Sequence, residues 1–224
     1  MKLRTGKTWM VGLVLAVMPA VMPAATPALS VQPRGALAPI ALYSEFEQAP
    51  SKAVKAALID ELGSIMTPLG LRFEWRDLRA PRDEEPAVEL AVISFKGRCD
   101  VAGLLPRSTS PGALGWTHIS DGEILPFSDV DCDGIRGFLQ QSLLLLPPAG
   151  REEAFGRALA RVLAHELYHI FADTTRHGSC GIGKEAYTVR DLMASDFRFE
   201  NRESRALKNG KAYGLLEKGA DLRD

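Results

Sequence analysis

The stretch from Arg151 to Phe171 places Phe155, Leu159, Val162, Leu163 and Ile170 at helical spacing, the pattern of a long helix with one face to bury. A helix of that length needs a partner surface, so the rest of the chain must supply a layer for it to lie on. Glu152 and Glu153 are expected in its first turn, where acidic side chains suit the helix dipole. Near its C-terminal end stands His165-Glu166-Leu167-Tyr168-His169.

The upstream chain supplies that layer. Ala36 to Phe46 reads as a strand, and Ser51 caps a helix to about Met66 that ends at Pro68 and Gly70. From Leu71 to Leu78, apolar Leu71, Phe73 and Trp75 alternate with Arg72, Glu74 and Arg76, the period of a half-buried strand. Arg79 to Pro86 is a charged, proline-bearing loop, whereas Ala87 to Phe95 is a nearly unbroken apolar run suited to a central strand. Gly97 to Gly112 reads as loop. Ala113–Ile119 and Glu123–Val130 flank Ser120-Asp121-Gly122, a tight hairpin turn. A helix is expected from Ile135 to Leu146, ending at Pro147-Pro148, and two short helical stretches near Val189 and Glu203. The fold class is α+β.

The N-terminus reads as a leader rather than as part of the fold. Lys2, Arg4 and Lys7 precede an apolar stretch from Trp9 to about Val21, then small residues and prolines, the layout of a secretory signal peptide ending near residue 30. The apolar stretch, broken by Pro19 and Pro23, is shorter than the roughly 20 residues that span a bilayer. The expected protein is therefore exported, secreted or periplasmic, without stable membrane association once the leader is removed. A net charge of −1 leaves no electrostatic footprint for nucleic acid. Export permits a disulfide, and of Cys99, Cys132 and Cys180 the expected pair is Cys99 with Cys132.

Residues four apart on a helix lie one above the other, so His165 and His169 can offer two imidazoles to one Zn²⁺. Glu166 then stands beside the metal without ligating it, placed to take a proton from an attacking water and pass it to a leaving amine. A catalytic zinc needs a third protein ligand. His177, followed by Gly178, is the first choice, with Glu185 and then Asp173 as alternatives. Tyr168 and Tyr187 are the nearest tyrosines that can stabilise an oxyanion. Asp129, Asp131 and Asp133 precede Gly134 as in the start of a calcium loop, but Gln140 stands where the closing glutamate belongs. The expected reading is a solvated turn whose aspartates cap the following helix, with calcium as the alternative.

His165 to His177, HELYHIFADTTRH, resembles the extended zinc motif of the metzincin metallopeptidases, and Asp191 to Ser195 resembles their Met-turn. The family's glycine position holds Ala172 and its third-histidine position holds Thr175, with His177 two residues later. Asp173 accepts a left-handed conformation and the two added residues permit a wider turn. The resemblance implies a mixed twisted sheet with a backing helix and an active-site helix over residues 31–171. A short irregular C-terminal subdomain over 172–224 would follow. It also implies His165, His169 and His177 as zinc ligands, Glu166 as catalytic base and Met193 packed beneath the metal. Peptide or protein substrates would lie extended along an edge strand, either Ala113–Ile119 or Glu123–Val130. The contrasting expectations are an exported zinc-binding or interaction module without turnover, and a zinc hydrolase of a non-peptide amide.

Overall fold

The computed structural model of the chain describes residues 40–80, 87–106 and 112–210; the expected leader and the first residues of the expected first strand lie outside them. Among the described residues, no helix is long and apolar enough to cross a membrane.

Five strands form one sheet in the order β2-β1-β3-β5-β4. They are β1 (Ile40–Gln48), β2 (Phe73–Asp77), β3 (Leu90–Arg98), β4 (Gly115–Ser120) and β5 (Glu123–Asp131). The first three and β5 run parallel, and only β4 is antiparallel to its neighbour. The run expected to be central is central. Of the two hairpin strands offered as an edge, β4 is the edge and β5 is paired on both sides. The hairpin turns through Asp121 (φ 51) and Gly122 (φ 82), both left-handed, which suits the twist of a two-residue turn.

The helices are α1 (Lys52–Met66), α2 (Cys132–Leu144), α3 (Pro148–Ala172), α4 (Val189–Met193) and α5 (Asn201–Lys208). Ser51 caps α1 by accepting the Val54 N–H at 3.2 Å. Asp131 caps α2 by accepting the Gly134 N–H at 2.9 Å, so that helix starts three residues earlier than its apolar pattern suggests. Helix α3 also starts early. Pro148 opens it instead of closing α2, because a proline in the first turn forfeits no helical hydrogen bond. Glu152 and Glu153 consequently sit inside the helix rather than in its first turn, and Glu153 pairs with Arg157 at 2.6 Å.

One core joins these layers. Ala91, Ile93 and Phe95 of β3 are buried, alternating with Val92, Ser94 and Lys96, and cluster with Leu58 and Leu62 of α1 and Phe155, Leu159 and Leu163 of α3. The expected disulfide, Cys99–Cys132, links the end of β3 to the start of α2, and Cys180 is free and exposed. With 33 residues of sequence separation, the loop-closure relation values that link at about 3–4 kcal/mol.

Helices α1 and α3 meet at Gly156, where a Cβ would lie 2.5 Å from the Val54 carbonyl oxygen and 2.7 Å from Ala57 Cβ. Those neighbours are backbone and a stub side chain, neither of which can swing away. Gly156→Ala is therefore expected to cost about 1–3 kcal/mol in urea denaturation, despite alanine's better helix propensity. A stabilised variant would mean that the two helices separate freely.

Candidate metal centre

The last turns of α3 carry His165, Glu166 and His169, all less than a tenth exposed. Beyond them Asp173 adopts the left-handed conformation (φ 48, ψ 55) and reverses the chain. Asp173 thus takes the left-handed conformation that the sequence allows it where the motif lacks its glycine. The turn brings the Thr174 carbonyl onto His169 Nδ1 at 2.7 Å, and the Ile182 carbonyl reaches His165 Nδ1 at 2.8 Å. His177 follows on the returning segment, which is closed by Gly178 N–H donating to the Gly183 carbonyl at 2.7 Å.

The three imidazoles converge. Their rings lie 4.7–5.1 Å apart between centroids, and one nitrogen from each falls within 4.8 Å of the others. His165, His169 and His177 therefore stand close enough to hold a metal ion. Among the described residues Glu185 and Asp173 do not join that group; Glu185 is on the exposed wall of the cleft, and Asp173 is the helix terminator.

A carbonyl can only accept, so each buried histidine must donate from Nδ1 and present a lone pair at Nε2. These two Nε2 atoms face each other at 3.0 Å. Two bare lone pairs at that distance repel, and a shared cation or proton between them removes the conflict. Imidazole nitrogens bound to one tetrahedral zinc stand about 3.3 Å apart, close to the spacing present. Burial, with lesser contributions from His169 and His177, lowers His165 to a pKa of about 4, and burial lowers His169 as well. Both rings are therefore neutral at pH 7, the form that ligates metals.

Glu166 reaches the edge strand β4. Its Oε2 accepts from Thr117 Oγ1 at 2.8 Å, and burial pushes its carboxyl from 4.5 up to about 7, with that hydrogen bond opposing the shift. The carboxylate and the three histidines line a cleft of about 510 Å³ whose remaining walls include Leu114, Ile119, Phe138 and Val162. Tyr187 also lines it, but its hydroxyl donates to the Ile182 carbonyl at 2.5 Å, and burial holds its phenol well above the ordinary value. Tyr168 packs on Phe199 and is not part of the cleft wall.

Behind the site, the fully buried Arg161 stands one helical turn before His165. Its Nε donates to Glu61 Oε1 at 2.8 Å and its Nη1 to the Asp191 and Leu192 carbonyls at 3.0 and 2.9 Å. That fork fastens α4 to α3. Met193 ends α4, half-buried against the core, and does not line the cleft. The three aspartates before Gly134 part company: Asp131 caps α2, while Asp129 pairs with Lys96 at 3.2 Å and with His118 at 2.6 Å. Among the described residues no metal-ligating group forms there.

Sequence reasoning passed over Thr117, Gly115, Ile182 and Arg161. Period-two alternation on the edge strand carried a signal for the first two, which share a face with Ile119. Nothing local marked the Ile182 carbonyl or Arg161. No protein-family model matches the sequence, and no curated protein matches it significantly.

In the metal-free protein the folded state holds a proton on Glu166 between pH 4.5 and about 7 that the unfolded chain has released. Stability from that proton is complete below 4.5 and is lost as pH rises to about 7. Replacing Glu166 by glutamine removes the loss. Urea denaturation of metal-free Glu166→Gln is expected to show it gaining roughly 2–3 kcal/mol on the parent between pH 4.5 and 7.5. A pH-independent difference would contradict the cost of burying the carboxylate.

Proposed function

We propose that the chain is an exported, metzincin-like zinc metallopeptidase in which His165, His169 and His177 hold the metal and Glu166 is the general base. The observation that carries this reading is one arrangement: three converging imidazoles, two of them buried and neutral, with a desolvated carboxylate beside them on a cleft wall. A purely structural metal site has no use for that carboxylate. Zinc when bound acidifies water and polarises a carbonyl.

The chain's own residues do the rest. Glu166 accepts the proton of the attacking water and returns it to the departing amine, and its raised affinity for a proton suits a base that must also act as an acid near neutral pH. Thr174 and Ile182 fix the ligand rings through their carbonyls. Among the described residues β4 is an edge strand, and its Gly115, Trp116, Thr117 and Ile119 line the cleft. An extended peptide can add to that edge and present a backbone carbonyl near the histidines. The reading of peptide rather than other amide rests on that edge.

The test begins with zinc per chain in purified residues 31–224, parent and His177→Ala, followed by a peptide library. About one zinc in the parent and a large loss in the variant are expected, with peptide cleavage that Glu166→Gln lowers by about 10²–10⁴-fold at unchanged zinc content. Zinc retained by His177→Ala would remove His177 as a ligand. A folded parent that takes up no zinc would sink the proposal.

A further inference from the structure

Strand β4 does more than border the cleft. Its residues Gly115 and Thr117, two apart and so on one face, meet the two oxygens of the same carboxylate. Thr117 Oγ1 donates to Glu166 Oε2 at 2.8 Å. At Gly115 a Cβ would lie 3.0 Å from Glu166 Oε1, 3.0 Å from Val162 Cγ1 and 3.1 Å from the Asp129 carbonyl oxygen. Gly115 opens β4, and a side chain there would crowd Oε1 together with Val162 and the Asp129 carbonyl.

Behind Thr117 stands Ser128, its register partner on β5, 2% exposed, with the two hydroxyl oxygens 2.9 Å apart. An ionised carboxylate only accepts, so the Thr117 proton goes to Glu166 and Thr117 in turn accepts from Ser128. The order Ser128 to Thr117 to Glu166 satisfies each hydroxyl. Thr117 Oγ1 also lies 3.2 Å from the Glu166 backbone oxygen, which brings it over the helix turn as well as the side chain.

We propose that β4 is a clamp for the Glu166 carboxylate, with Thr117 as the positioning residue, Ser128 setting the direction of its hydroxyl and Gly115 giving Oε1 its room. The proposal rests on the reading of Glu166 as the base. A glutamate has several free torsions, and a base is effective only within hydrogen-bond reach of the proton it takes. Fixing one oxygen with a hydroxyl and seating the other in a glycine gap removes that freedom before substrate arrives. Thr117 is no member of the metal-ligating group, so its effect falls on the chemical step.

The experiment compares zinc-loaded Thr117→Val, which keeps the branched shape without the hydroxyl, with Thr117→Ser, which keeps the hydroxyl. With a peptide that the parent cleaves, Thr117→Val is expected to lower kcat by about 10–100-fold with zinc content and KM held within about twofold. Thr117→Ser is expected to restore kcat to within about fivefold of the parent, and Ser128→Ala to lose less than Thr117→Val. Parental kcat in Thr117→Val, or a serine variant no better than the valine one, would overturn the clamp. If the parent cleaves no peptide, the hydrolase reading fails by itself. The clamp is then judged by crystal structures of the parent and Thr117→Val: it stands if the Glu166 carboxylate leaves Gly115 in the variant, and falls if the carboxylate stays.

Discussion

From Ala154 onward nearly every face of α3 is buried, and the packing of the described layers around it follows from that. Gly156 lets α1 press against its backbone, Phe155, Leu159 and Leu163 join it to the sheet, and the Arg161 fork ties it to α4. A helix held on so many sides cannot roll, so His165 and His169 keep one orientation. The ion pair between Arg161 and Glu61 has a part in this that its bare charge does not suggest. A buried pair gains little net stability against its desolvation cost, yet removing Glu61 would strand the buried Arg161 charge, whereas Glu61 would keep Arg198 at 3.5 Å. Here the pair also supplies donors for two carbonyls that no other described residue is shown to satisfy. Its contribution is the docking of one segment on another.

The site is then assembled from three kinds of contact. Helix spacing sets two imidazoles side by side, backbone carbonyls from the returning chain fix their tautomers, and the edge strand holds the carboxylate that faces them. Each draws on a different part of the fold: α3, the segment 174–187, and β4. The cleft lies where these parts meet, which is why a few residues distant in sequence share about 510 Å³ of space.

Much of this was legible in the residues because it is local. Alternation in Leu71–Leu78, capping at Ser51, the Asp121-Gly122 turn and the four-residue spacing of His165 and His169 each depend on neighbours in the chain. Apolar periodicity alone places helix starts late: α2 and α3 begin at Cys132 and Pro148, ahead of the first periodic apolar residue, although the aspartates before Gly134 do signal the cap of α2. The pairing of Cys99 with Cys132 was within reach because few partners existed. Thr117 against Glu166 was not. Their contact depends on which strand takes the edge beside α3, a choice made by packing across 49 residues of sequence.

The left-handed Asp173 divides the three imidazoles into unequal partners. His165 and His169 stand on α3 itself, whereas His177 lies on the segment after Asp173 and reaches them only where that segment is docked. An ion bound by all three would favour the docked arrangement by its differential affinity, and its apparent affinity would fall in proportion to the fraction of molecules with that segment in place. Occupancy by a metal and order in residues 174–193 would then be two readings of one equilibrium, with the Ile182 carbonyl acting directly on the His165 ring and Arg161 acting through α4.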